Sequence, residues 1–396
     1  MNSILRKRII ETQIYLGIGI FALGLVLFTR ETSQAAADGV QLCAQVLIPS
    51  LFPFFVVSSL CVQTGLAALA GRAFEKPMQF LFRVPGACAP AFILGLVGGY
   101  PVGAKTAIAL YEQGACTKSE AERLLAFCNN SGPAFILGAV GASMLGGQTA
   151  GLLLYSAHIF ASITVGVLFR FVGRRDTATP RSVSGTGRVN IVCAPFGRAF
   201  TGAVTSSFAS VLNVCAFVIF FAVVIRLLDL TGIISALSGG LCALLGPLAP
   251  DTALTGRVLS GLLEVTSGVK GLLPLPVGMG TKLTAAAFLL GWAGLSVHCQ
   301  VLNLIGESPL SPLPYLAGKA LHGGFAALFT WAAVRVLPLH IAASATWTAP
   351  ADLSVSELSP SFWTSLGASV ACWLALAVLS LFFRLITRCK KSNHPV

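Results

Sequence analysis

Charge is what this 396-residue chain has least of, since only 10% of its residues are charged. Acids are the scarcer sign, with 14 Asp+Glu against 26 Lys+Arg. A soluble domain carries about 25% charged residues, which excludes a water-soluble globular enzyme. A hydrophobic content of 55% excludes a disordered chain. The chain has 11 cysteines but no C-x-x-C pair and no Cys/His metal spacing. Those at Cys61, Cys88, Cys128, Cys215, Cys242 and Cys372 lie inside apolar runs and read as small packing residues. There is no H-E-x-x-H, no G-x-S-x-G and no Walker A loop, so neither hydrolysis nor ATP-driven pumping is expected. No resident cofactor or metal is expected.

Long apolar segments fill the chain instead, and the mean hydropathy is +0.84. The fold class they imply is an all-α polytopic membrane protein. The net charge of +12 sits between the apolar spans. That is the positive-inside bias of membrane proteins rather than a nucleic-acid footprint.

Spans are expected near Ile14–Phe28, Gln41–Leu66, Ala121–Gly147, Thr149–Val172, Thr205–Leu228, Ala285–Ile305, His322–Val336 and Trp363–Leu385. The first follows the basic cluster Arg6-Lys7-Arg8 and reads as an uncleaved anchor, with a signal peptide cut near Ala35–Ala37 as the alternative. Pro49 and Pro53 predict a kink in the second. Basic segments follow the second span (Arg72, Lys76, Arg83) and Val172 (Arg174 to Arg198), and the tail at Arg388–Lys391 is basic. All of them fall in the cytoplasm only if Ala91–Gln113 and Leu254–Leu275 enter and leave on one side. The expectation is eight spanning helices plus two re-entrant hairpins, with both termini inside.

The halves match at a steady offset of about 165 residues, Ala44-x-Val46-Leu47 with Ala209-x-Val211-Leu212 and Gly103-x-Lys105 with Gly268-x-Lys270. Gly95 matches Gly261 in the same order. Each copy holds three spans, an odd number, so the copies lie in opposite orientation. Segment 1–39 then precedes a first repeat, 40–172. A basic linker, 173–199, joins it to a second repeat, 200–337, and residues 338–396 form a loop, a last helix and a tail. Inverted repeats with broken helices point to a secondary transporter.

Four breaks gather the polar groups: GGYPVGAK (Gly98–Lys105), CNNSGP (Cys128–Pro133), LEVTSGVKG (Leu263–Gly271) and GWAGLSVHCQ (Gly291–Gln300). Gly98, Gly99, Pro101, Gly132, Pro133, Gly268 and Gly294 interrupt the helices, freeing N–H groups that attract anions and carbonyls that hold cations. Lys105 and Lys270 follow the two hairpin tips. They are expected to face an anionic substrate across the repeat interface. Alternatively, Lys270 pairs with Glu264 and Lys105 snorkels toward Glu112. Asn129, Asn130 and Ser131 supply ligand groups or only stabilise their break. Ser267 sits at the other tip. Glu264 holds a proton, a sodium ion or the substrate, and His298 relays protons or is a structural histidine.

GLVGGYPVGAKTA, LAFCNNSGPAFILG and GLSVHCQVL resemble the YlbJ family of sporulation integral membrane proteins, also called stage V sporulation protein V. The resemblance covers about Val40 to Trp331. That family carries the nucleoside recognition, or Gate, domain, which is similar to the core of concentrative nucleoside transporters. In those proteins two hairpins and two unwound helices bind substrate and a coupling ion at the midplane. The resemblance implies a place in the outer forespore membrane and movement of dipicolinic acid, a small aromatic dianion, with Na+ or H+ as coupling ion. By motif position it nominates Lys105, Asn129, Asn130, Ser131, Glu264, Ser267, Lys270 and His298 as substrate contacts. The tip GGYPVGAK departs from the acidic and amide tips of nucleoside transporters, which puts a nucleoside in doubt. A nucleoside transporter and a non-transporting spore-envelope assembly protein remain the alternatives. Expected partners are a small anion and the lipid bilayer, with a homo-oligomer admitted and no nucleic acid.

Overall fold

Helices carry the architecture, and no strand forms among the described residues. The computed structural model describes residues 3–64, 74–172, 195–246 and 250–336. The expected span Trp363–Leu385, the loop before it and most of the linker 173–199 lie outside them. Among the described helices, Thr29–Cys61, Gln148–Phe169, Phe196–Leu230 and Met279–Gly306 are long and apolar enough to cross a bilayer.

The helices depart from the sequence expectation in several places; those expected at Ile14–Phe28 and Thr205–Leu228 already begin at Ser3 and Phe196. The second span does not begin at Gln41. The chain is already helical from Thr29 to Leu42 and continues through a wide turn, Cys43–Leu47, into Ile48–Gln63. The polar stretch holds because one face, with Thr32, Gly39 and Leu42, is buried against Phe196–Leu230, while Arg30, Glu31 and Asp38 lie elsewhere on the helix. A helix the sequence reading left unassigned, Ile233–Leu245, buries Ile234 and Ser238 and packs on Thr252–Leu263. The last described helix starts at Leu313 rather than near His322 and runs to Val336, which brings Lys319 and Tyr315 into the helix, both of them buried.

Two tight helical hairpins share one construction. In the first, Ala89–Gly98 and Val102–Glu112 pack against each other, with the turn at Gly99–Pro101. In the second, Thr252–Leu263 and Val265–Leu272 pack together and turn at Glu264. Small residues let the paired helices touch. A Cβ at Gly103 would press on the Gly95 backbone and the Cys128 carbonyl, and one at Gly268 would overlap the Gly261 backbone. These glycines are the ones the offset of about 165 residues pairs between the halves.

Two helices are interrupted beside those turns. Lys118–Cys128, started by a capping box of Thr117 and Glu120, gives way at Asn129–Pro133 to the wide helix Ala134–Met144. Met279–Trp292 gives way at Ala293 and Gly294 to Leu295–Gly306. Gly99 (φ +72°) and Gly294 (φ +82°) take backbone angles that L side chains rarely adopt, and each brings a turn and a break within backbone contact. Gly99 meets Gly132, and Gly294 meets Leu263, Glu264 and Val265.

The hairpins also reach across the halves. Val102–Glu112 packs on Leu295–Gly306, and Val265–Leu272 packs on Ala134–Met144. One apolar core accordingly joins Ala104, Ala107 and Phe127 to Val301, Ile305 and Tyr315. The other joins Ile136 and Val140 to Val265, Val269 and Leu289.

Candidate functional site

The turns and breaks converge on two cavities that share Phe55, Tyr100, Val214 and Gln300 as walls. The inner one, about 60 Å³, is bounded by Gly99, Ser131 and Gly132 on one side and by Glu264, Thr266 and Ser296 on the other. It has room for only a few waters. The outer one, about 790 Å³, falls in the size range of small-molecule sites. Its polar lining is Ser58, Ser59, Thr106, Ser206, Asn213 and their neighbours, and its one charged group is Lys105.

Glu264 shows how local sequence builds the inner wall. It ends one helix in extended conformation and caps the next, its two carboxylate oxygens accepting from Thr266 N (2.8 Å) and Ser267 N (2.6 Å). The free N–H groups expected at this half-helix start are therefore occupied by the chain's own carboxylate. Among the described residues no ion pair joins Glu264 to Lys270.

The two lysines singled out by sequence are not brought together. Lys105 is exposed into the outer cavity. Lys270 is exposed and lines neither cavity, because the eight-residue helix Val265–Leu272 turns it away from the buried face formed by Val265, Gly268, Val269 and Leu272. The buried cation is Lys319, at 1% exposure. Its Nζ donates to the carbonyl oxygen of Asn129 (3.2 Å), a group freed by the break, and lies 5.1 Å from the centre of the Tyr100 ring. Sequence reasoning missed it because the helix was started at His322. Counting from Leu313 would have exposed Lys319 and His322 three residues apart on one helical face.

A polar cluster surrounds Lys319. Ser131 N donates to His158 Nε2 (3.0 Å), and His322 Nε2 meets the His158 carbonyl (3.0 Å). The two rings lie 4.2 Å apart. His298, expected near the second break, is buried there with Nδ1 2.9 Å from the Tyr315 hydroxyl and its ring against Trp292. Asn129 and Asn130 are buried. The Asn130 amide donates to Phe127 O (3.0 Å), whereas the Asn129 side chain makes no hydrogen bond of regular geometry. Of the eight contacts nominated by sequence, Ser131 and Glu264 line the inner cavity and Lys105 the outer one. Asn129, Asn130 and His298 stand behind these walls, and Ser267 serves Glu264 through its N–H.

Residues 44–175 match the family described as Gate, nucleoside recognition. Over 399 aligned residues, the chain is 30% identical to the sporulation integral membrane protein YlbJ of Bacillus subtilis (strain 168), covering 95% of this chain and 96% of that one. The chain belongs to the YlbJ family. Solved structures of CNTnw variants, in an intermediate and in an outward-facing state, are 15% and 14% identical. They align over 82% and 84% of this YlbJ-family chain and 85% and 86% of their own, with TM-scores of 0.47 and 0.48.

Proposed function

We propose that the protein is a secondary transporter that moves dipicolinate across the outer forespore membrane during sporulation. One observation carries the reading. The ligand-sized cavity, about 790 Å³, has a mostly apolar wall, including Phe55 and Val214, set with hydroxyls and amides, and holds one cation, Lys105, and no carboxylate. Such a lining suits a small anion that keeps hydrogen-bond donors around it. The pairing of two hairpin turns with two helix breaks supports alternating access at a midplane site, because irregular backbone at membrane depth is tolerated where it lines a cavity. The name of the Bacillus relative supports the sporulation role. In this proposal two oppositely oriented repeats supply eight spans and two re-entrant hairpins, with both termini in the cytoplasm.

A second reading, a nucleoside carrier, is favoured by the carboxylate of Glu264 on the inner wall, which repels a dianion and accepts hydrogen bonds from a neutral sugar or base. Purified protein in proteoliposomes decides between them. Uptake of labelled dipicolinate, with and without sodium, is the expected result. Uridine uptake without dipicolinate uptake would establish the second reading instead, and silence toward both would return the protein to an envelope-assembly role.

A further inference from the structure

Lys319 has no counter-ion among the described residues: no carboxylate lies within ion-pair distance of it, and its one hydrogen bond goes to the Asn129 carbonyl. A charged lysine buried away from water is costly unless it is paired or hydrated. A neutral amine makes the same hydrogen bond to Asn129 without that cost.

The surroundings are built to pass a proton rather than to neutralise a charge. From Gln148–Phe169 comes His158, from the first turn Tyr100, from Leu295–Gly306 His298, and from Lys118–Cys128 the Cys128 thiol. Tyr315 and His322 share the lysine's own helix. The adjoining helix Met279–Trp292 has one ionisable residue, Lys282, which donates to Leu273 O. The hydrogen bonds assign the histidine tautomers. His158 Nε2 accepts from Ser131 N, so in the neutral ring Nδ1 carries the hydrogen. His322 Nε2 faces a carbonyl and must donate, so its Nδ1 is a bare acceptor. Both Nδ1 atoms are buried and without partners. An unused donor and an unused acceptor thus sit on rings 4.2 Å apart, one of them three residues from Lys319.

Tyr100 separates this cluster from the substrate cavities. It lines both of them and presents its ring to Lys319. An anion arriving on the far side of that ring makes the charged ammonium cheaper, and its departure makes it costlier, so substrate and proton favour each other's binding reciprocally.

From this geometry we propose that Lys319 is a proton-binding site, served by His158 and His322, that couples proton movement to substrate movement. The Lys319 amine takes a proton from one aqueous side while substrate is bound and releases it to the other after substrate leaves. The inference rests on the transport reading above and specifies its coupling ion.

The test measures the ratio of protons to dipicolinate moved by proteoliposomes, with the membrane potential clamped. Wild-type protein is expected to move protons with dipicolinate, and a one-unit pH gradient then holds about a tenfold substrate gradient per coupled proton. In Lys319→Met and Lys319→Arg the ratio falls to zero at whatever turnover remains, whereas a purely structural defect lowers both fluxes and leaves the ratio unchanged. Titration calorimetry in buffers of different ionisation enthalpy reads the same coupling without turnover. Dipicolinate binding takes up protons in the wild type and none in either variant. Wild-type protein that binds or moves dipicolinate without protons overturns the proposal and spares the transport reading, as does an unchanged ratio in Lys319→Met. Wild-type protein that neither binds nor moves dipicolinate refutes the transport reading, and the proton site falls with it.

Discussion

The Tyr100 hydroxyl donates to the carbonyl oxygen of Leu290 at 2.8 Å, tying the first hairpin turn to the helix that breaks in the other half of the chain. Leu290 stands in the last turn before the break at Ala293 and Gly294, where carbonyls lose their helical partners. Tyr100→Phe keeps the ring over Lys319 and removes this bond together with the hydroxyl's contact with the Ser131 side chain. A buried carbonyl left without its donor costs about 1–3 kcal/mol. Purified Tyr100→Phe is expected to melt several degrees lower than wild type in detergent. Because the bond joins the two halves, its loss also shifts the balance between access states and lowers the transport rate.

The close helix pairs inside the hairpins predict a sharp contrast among glycine substitutions. Gly268→Ala forces a methyl group into the Gly261 backbone, where no flexible side chain can yield. Overpacking of that kind costs about 1–3 kcal/mol. Gly239→Ala and Gly278→Ala place the same methyl group in open space and are expected not to destabilise, Gly239→Ala gaining about 0.5–1 kcal/mol because it lies inside the helix Ile233–Leu245. Thermal melting of the three purified variants checks this. Equal melting temperatures would show that the second hairpin is looser than described.

The hairpins were legible in the sequence because the physics that shapes them is local. Glycine and proline clustered at Gly98–Pro101, Asn129–Pro133 and Gly294 leave the helix few ways to continue, whereas the isolated Pro53 stays inside one. The chemistry behind the turns was not legible. Lys105 and Lys270 share a repeat position, yet packing decides what each faces, and the helix Val265–Leu272 points its lysine away from both cavities. Glu264 looked wholly free to bind a ligand, but each of its oxygens already accepts one bond, from N–H groups two and three residues on, a cap that depends on the extended backbone at that residue and leaves each oxygen one further lone pair. His158 and His322 lie 164 residues apart and meet only through tertiary packing.

Glu264 separates the two substrate classes. Glu264→Gln keeps one carbonyl oxygen to cap Thr266 or Ser267 and removes a negative charge from the inner wall. Loss of part of the cap costs up to about 1 kcal/mol of stability. For a dianionic substrate the same change removes a like charge, so dipicolinate is expected to bind several-fold more tightly, measured by titration calorimetry. For a nucleoside the sign reverses, because an acceptor for its hydroxyls is weakened.

The two exposed lysines are expected to behave unequally, although the sequence repeat treats them alike. Lys105 is the single charged group of the outer cavity, and a dianion entering that space meets its ammonium before any other fixed charge. A surface-accessible attraction of this kind is screened by salt and acts mainly on capture. Lys105→Ala should therefore lower kcat/KM for dipicolinate by roughly tenfold at low ionic strength and by less as salt rises, with Lys105→Arg restoring most of it. Lys270→Ala should leave transport near the wild-type value, since that side chain lines neither cavity. Initial uptake rates at several salt concentrations measure both variants. Equal defects at the two positions would mean that the lysines meet the substrate together in another access state, and a silent Lys105→Ala would remove the anion from the outer cavity altogether.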